Sequence, residues 1–285
     1  MKPATFRYHA PKTVDEAVAA LAEFGPQDGR VLAGGQSLVP TMAFRLARPA
    51  HLVDINGVEA LNRLAVDGGK LAIGACVRHA AFHQPVCEGP LGKILTDVVA
   101  HIAHYPIRNR GTFCGSLAHA DPSSEWCLVM VALDGEMVAK SAGGERIIAA
   151  RDFFNGMMTT ALREDELLVE ARLPMLAADT RCGFYEFNRR AGDFALAAAL
   201  AAYRVEGGKI VEPRLAVGGA ESNPRRIAEA ERALAGAEPG DKAFRAAAAA
   251  ATAAIDPLED ITTSAEYRRD LVLAVTRRAL ERAAA

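Results

Sequence analysis

The sequence predicts a mixed helix-and-strand protein of about two domains, and three observations carry that reading. The chain has 285 residues, against roughly 100–200 per domain. Segments of helical and strand period alternate up to Pro174. The last third then changes character, to an antiparallel meander closed by alanine-rich helices.

Composition narrows the class. With 51% hydrophobic residues and 33 basic against 35 acidic side chains, a net charge of −2, the chain is neither a disordered tail protein nor a strongly basic nucleic-acid binder. The five cysteines, Cys76, Cys87, Cys114, Cys127 and Cys182, are odd in number and form no Cys-x-x-Cys pair. They read as reduced cytosolic thiols without a zinc or iron–sulfur signature. The N-terminus lacks the apolar core of a signal peptide, and the longest apolar run, residues 194–203, falls short of the ~20 residues of a membrane span. A cytoplasmic protein is expected.

Taken in order, Thr13-Val14-Asp15-Glu16 is a capping box, because hydroxyl and carboxylate can each satisfy an orphan backbone donor at a helix start. Val14, Ala17, Val18 and Leu21 recur at helical spacing, and Gly25 is expected to close the helix. Residues 30–33 form a short strand that runs into Gly34-Gly35-Gln36-Ser37. Residues 51–55 and 70–74 are further strands, with Gly68-Gly69 in the turn between them, and residues 92–103 are helical in period. A polar, glycine-bearing segment covers residues 108–121. Asp121-Pro122 then predicts an N-cap with proline at the first helical position, opening a helix to about Leu133.

Residues 137–140, 146–149 and 167–173 alternate like strands, and Pro174 with Ala177-Ala178 reads as a linker. Beyond it, residues 184–189, 194–205 and 210–217 predict the meander, with Gly207-Gly208 turning the last pair. Propensity alone favours a helix for residues 195–202. The neighbouring Gly-Gly hairpin signal decides for a strand.

Two segments can carry chemistry. In Ala33-Gly34-Gly35-Gln36-Ser37, two residues without side chains let backbone N–H groups approach a ligand, and Ser37 adds a hydroxyl; such a nest suits a phosphate or pyrophosphate. It is neither Gly-x-Gly-x-x-Gly nor a Walker loop, and a plain turn has the same composition. The second, Arg108-Asn109-Arg110-Gly111-Thr112-Phe113-Cys114-Gly115-Ser116 followed by Ala120-Asp121-Pro122, offers further donors to an anionic cofactor.

Together these segments resemble the flavin-binding medium subunit of the molybdenum hydroxylases, the group of xanthine dehydrogenase and carbon monoxide dehydrogenase. Phe6-Arg7-Tyr8, the Ala-Gly-Gly-x-Ser loop at 33–37, Ile107-Arg108-Asn109-Arg110-Gly111-Thr112 and Ala118-His119-Ala120-Asp121-Pro122 stand in the family's order and spacing. Ser264-Ala265-Glu266-Tyr267-Arg268-Arg269 looks like the start of its final helix, so the likeness covers essentially the whole chain.

The resemblance implies an α+β fold: a two-lobed PCMH-type FAD-binding domain at 1–176, with lobes at about 1–58 and 59–176, then a C-terminal domain of antiparallel sheet plus helices at 177–285. It implies that Ala33, Gly34, Gly35, Gln36 and Ser37, with Leu38 beside them, hold the FAD pyrophosphate. Thr112, Phe113, Cys114, Gly115 and Ser116 would grip the diphosphate and ribityl region, with Ala120 and Asp121 following. Glu125 would reach the adenosine end, and Leu168 and Asn188 would lie near the flavin. Several positions depart from the usual pattern: Gln36 where histidine is frequent, Cys114 for glycine, Ser116 for asparagine, Glu125 for aspartate, and Asn188 where some relatives carry lysine. Phe194 stands where relatives place a tyrosine over the isoalloxazine, which implies a stacking or gating role.

A flavin subunit needs no acid–base dyad of its own, because the cofactor carries the redox chemistry. Val39 breaks a nucleophile elbow at Gly35-Gln36-Ser37-Leu38. His79 with His83, and His101 with His104, have helix-face spacing but no third ligand, and read as surface or structural residues. Trp126, Met157 and Met158 read as packing residues. The resemblance therefore implies an electron-transfer subunit whose partners are a large molybdopterin subunit and a small subunit with two [2Fe–2S] clusters, assembled as a dimer of heterotrimers. A self-contained flavin oxidase of the same fold and a non-catalytic nucleotide-binding or assembly protein are the alternatives. Gly34→Val is expected to abolish FAD retention.

Overall fold

The computed structural model describes residues 2–285. Its first sheet is parallel and three-stranded. β1 (Arg7–His9) is followed by α1 (Val14–Phe24), β2 (Gly29–Leu32), α2 (Leu38–Ala43) and β3 (His51–Asp54). β3 lies in the middle, with Arg7 and Gly29 both opposite His51. Thr13 Oγ1 accepts from Glu16 N at the start of α1, as the capping box requires, while the Glu16 carboxylate takes the N–H of Lys12. Gly25 does not end α1 in a left-handed turn: its φ is −53°, the chain continues for one tight turn, and Asp28 takes the left-handed conformation instead. A Cβ on Gly25 would stand 2.6 Å from the Glu164 carbonyl oxygen, so close approach explains this glycine.

The second sheet is antiparallel. β4 (Leu64–Asp67) and β5 (Lys70–Gly74) make a hairpin about Gly68-Gly69. Four helices follow: α3 (Gly89–Val99), α4 (Tyr105–Arg108), α5 (Phe113–His119) and α6 (Glu125–Ala132). Then come β6 (Glu136–Ser141), β7 (Gly144–Ala149), a small hairpin of β8 (Phe154–Gly156) and β9 (Thr159–Thr160), and β10 (Leu167–Pro174). The order is β4-β5-β10-β6-β7.

Three expectations change here. The segment at 108–121 is mostly helical, because Thr112 caps α5, its Oγ1 accepting from Gly115 N at 3.0 Å. Asp121 does not cap α6: its carboxylate takes Ser123 N in a local turn, and the helix opens only after Ser124. Met157 and Met158 are not packing residues, being 53% and 56% exposed. They form the tip between β8 and β9, where a two-residue turn has no core to face.

The third sheet runs β11 (Arg181–Phe187), β12 (Ala197–Glu206), β13 (Lys209–Gly218) and β14 (Arg225–Arg226), antiparallel throughout. The helices α7 (Ala228–Leu234), α8 (Asp241–Ala254) and α9 (Ala265–Ala284) close the chain. The alanine-rich stretch is a strand, and its packing explains its composition. Ala198, Leu200 and Ala202 enter the core shared with α6, whereas Ala197, Ala199, Ala201 and Tyr203 enter a second core with α8 and α9. A strand covered on both faces reads as a continuous apolar run. Helix α6 is buried on every side, which places it between the second and third sheets. Among the described residues, no helix is long and apolar enough to cross a membrane.

Candidate functional site

The two glycine-bearing loops meet. A Cβ on Gly34 would lie 2.3 Å from the Arg110 carbonyl oxygen and 2.6 Å from Gly111 Cα, so the loops touch only because Gly34 has no side chain. Gly111 is in turn pressed against His79, whose Nε2 would be 2.6 Å from an added Cβ. Gly35 has φ +71° and Gln36 Nε2 donates to Gly34 O at 3.0 Å, which curls the loop. Ser37 and Leu38 start α2, where their carbonyls accept from Thr41 Oγ1. Among the described residues, no backbone carbonyl accepts from the N–H groups of Gly34, Gly35, Gln36 or Ser37. A row of free amides on a glycine turn fits a pyrophosphate.

Residues that sequence reasoning passed over hold this junction. Tyr8 OH donates to Asp54 Oδ2 (2.5 Å), Asp54 Oδ1 accepts from Asn56 N (2.9 Å), and Asn56 Nδ2 donates to Ala33 O (2.8 Å). Arg78 donates to Asn56 Oδ1 (2.6 Å) and to Arg110 O (2.5 Å). The chain of bonds runs from β1 through both loops, which gives the Phe6-Arg7-Tyr8 motif its structural role. Asn56 follows the end of β3 by two residues and Arg78 the end of β5 by four, and no local pattern marks either of them. Arg108 serves the fold rather than a ligand: its guanidinium donates to Ile102 O and Ala103 O beyond the end of α3.

The remaining expected residues divide by where their side chains go. Phe113 is buried against Trp126, with ring centroids 4.7 Å apart. Cys114 is buried with its Sγ directed at Ile73 O, 3.5 Å away, and burial pushes this thiol far above its ordinary range. Leu168 sits in the same core, beside an irregularity in the β10–β6 pairing. These three can meet a ligand through backbone only. A Cβ on Gly115 would strike Thr112 Oγ1 at 2.5 Å, and Ser116 O accepts from Ala120 N. Ala120 is left-handed at φ +52° and turns the chain toward Asp121.

Ser123 Oγ donates to Ala195 O (2.8 Å) and Gly219 N to Pro122 O (2.8 Å), so residues 120–125 abut the third sheet. There Phe194 is 69% exposed beside a cleft of about 500 Å³ lined also by Ser123, Arg189, Asp260 and Arg268. Asn188 Nδ2 donates to Glu186 Oε1 at 2.9 Å. Burial above all, then the Glu186 and Asp121 charges, push the Glu125 carboxyl up to about 8. His79 is buried and accepts from Trp126 Nε1 on Nδ1 (2.9 Å). Burial, with Arg108 and Arg78 nearby, lowers its pKa to about 4, which keeps the imidazole neutral.

The comparisons with known proteins fit this arrangement. Residues 4–176 match the family model described as the FAD binding domain in molybdopterin dehydrogenase, and residues 183–283 match the CO dehydrogenase flavoprotein C-terminal domain. The chain belongs to the FAD-binding medium subunits of the molybdenum hydroxylases. It is 37% identical to the nicotine 6-hydroxylase medium subunit of Paenarthrobacter nicotinovorans, over 100% of this chain and 99% of that one. Among solved structures, carbon monoxide dehydrogenase from Hydrogenophaga pseudoflava superposes with a TM-score of 0.95 at 36% identity, covering 99% of this chain and 98% of that one. Quinoline 2-oxidoreductase from Pseudomonas putida 86 gives 0.92 at 37% identity, with 100% and 98% covered. The α+β fold expected from the motifs and the membership in an FAD-binding oxidoreductase family both stand.

Proposed function

We propose that this chain carries FAD between an iron–sulfur donor and an external acceptor, as the electron-transfer subunit of a cytoplasmic molybdenum hydroxylase. The observation that carries the proposal is the contact of Gly34 with Arg110 and Gly111, which sets two donor-rich loops side by side with free amides at 34–37. In this reading the N–H groups of residues 34–37 receive the pyrophosphate, and Thr112 to Ser116 approach it mainly through backbone. Glu125 serves the adenosine end, and Asn188 and Phe194 border the flavin ring. Leu168 contributes backbone near the same ring. The FAD-binding domain spans 1–176, in lobes of about 1–58 and 59–176, and residues 177–285 form the C-terminal domain.

Bound FAD supplies the reversible two-electron chemistry that the side chains lack. The protein's part is to fix the cofactor's position and to surround it with the chosen charges. Among the described residues, no group of three or more His, Cys, Asp or Glu can hold a metal ion. The proposal therefore assigns molybdopterin to a large partner subunit and two [2Fe–2S] clusters to a small one, in a dimer of heterotrimers. The test is co-purification from the native source with a visible spectrum. Three chains with flavin and iron–sulfur absorbance are expected, and a lone yellow chain that oxidises its own substrate would refute the division of labour.

A further inference from the structure

We propose that Arg268 is a positioning residue of the flavin site, its guanidinium fixing the strap at 188–196 so that Phe194 is presented to the flavin ring. The inference rests on the FAD reading above and goes beyond it, because Arg268 belongs to neither glycine loop and lies on the last helix, α9.

The strap is the connection from β11 to β12. Its two stems join where Leu196 N donates to Phe187 O at 2.8 Å, and Phe187 pairs with Ala197 beyond that bond. Between the stems Phe194 turns its ring to the cleft, 69% exposed. Little packing of its own fixes that ring, so the backbone on either side must set its direction. Before it, Gly192 is left-handed at φ +85° and closes on His104, whose ring would stand 2.4 Å from an added Cβ. After it, Ser123 Oγ donates to Ala195 O at 2.8 Å, and Arg268 Nη1 donates to Leu196 O at 3.0 Å.

The start of α9 explains how Arg268 reaches the strap. Ser264 caps this helix, its Oγ accepting from Tyr267 N at 3.2 Å, and Arg268 N donates to Ser264 O. Two adjacent side chains then meet the two stems. Tyr267 lies edge to face with Phe187, ring centroids 6.5 Å apart, while Arg268 takes Leu196. Its Nη1 also donates to Gly219 O at 2.7 Å, just past the end of β13, and Nη2 to Asp260 Oδ2 at 2.8 Å. The Arg268 side chain is 6% exposed. A buried cation is costly unless it is paired and hydrogen-bonded, and here a rigid planar fork serves three acceptors in fixed directions. Nε is buried without a partner, so the guanidinium sits where the two strand ends and Asp260 hold it rather than where every donor is met. Gly219 N in turn donates to Pro122 O. The same guanidinium therefore registers the strap against the FAD-binding domain as well as its own sheet, which gives the segment at 264–269 a part in the site.

The test puts a reporter on the strap of the full-length chain. Aromatic rings stack offset on planar partners, and an indole in such contact quenches flavin emission, so Phe194→Trp at saturating FAD should emit less than wild type. In that background Arg268→Met, which keeps the stem but no donor, should lose most of the quench while FAD stays bound. Arg268→Lys, which keeps the charge and can serve one carbonyl, should lose part of it. Gly183→Ala, which strains the same sheet against α9 away from the strap, should lose none. If Arg268→Met does not fold by circular dichroism, Asp260→Ala releases Nη2 from an exposed carboxylate and should lose part of the quench. A quench kept in full by Arg268→Met, or by Asp260→Ala where it stands in, or lost equally by Gly183→Ala, would overturn the role of Arg268. Bound FAD that Phe194→Trp does not quench would overturn the inference while leaving the FAD reading intact, and a chain that takes up no FAD would overturn both.

Discussion

Gly34 shows how a single missing Cβ decides the site. Any side chain there acts first on an internal contact, because an added Cβ would stand 2.3 Å from Arg110 O. Gly34→Ala should cost about 1–3 kcal/mol through overpacking and weaken FAD by at least about tenfold, read by denaturant unfolding and by FAD titration of the same preparation. His79 makes a second residue-scale prediction. Its pKa is lowered to about 4, so the folded state binds fewer protons than the unfolded one. The stability it contributes is present above the ordinary value of 6.5 and is lost as pH falls through 4, on the order of 3 kcal/mol. Glu125 acts in the opposite sense: its raised pKa adds stability at low pH that is lost as pH rises toward 8. Comparing unfolding of wild type with His79→Gln between pH 4 and 7 isolates the histidine, and identical profiles would remove it from the account.

At the scale of elements, β11 packs directly against α9 with no room for a side chain at Gly183. A Cβ on Gly183 would stand 2.1 Å from Ala279 O and 2.5 Å from Ala283 N. Gly183→Ala should therefore lower stability by about 1–3 kcal/mol or more, seen as a drop in melting temperature, without removing any FAD contact. What the sequence made legible at this scale follows from local signals. The Gly207-Gly208 turn marked β12 as a strand despite its alanines, and two buried faces account for those alanines afterwards. Helix α5 was hidden because Gly115 and the polar residues before Thr112 imitate a loop, and only the Thr112 cap betrays it. Asn56 and Arg78 were invisible because the partners that join them to the loops are 22 or more residues away. The motif residues themselves were legible, yet the side chains of Phe113, Cys114 and Leu168 turn into the core, which no spacing announces.

Across the whole molecule, the five cysteines remain free thiols, three of them buried, and the redox chemistry must come from bound groups and neighbouring chains. The helix α6 lies between the second and third sheets, so one buried element ties the glycine loops to the cleft beside Phe194. The central claim is that this chain, by itself, is an FAD receptacle. The most direct measurement is an absorbance titration of the purified full-length chain with FAD, alongside Gly34→Val. The account predicts saturation at one FAD per wild-type chain and none retained by the variant. A wild-type chain that stays colourless, or a variant with wild-type flavin content, would contradict it.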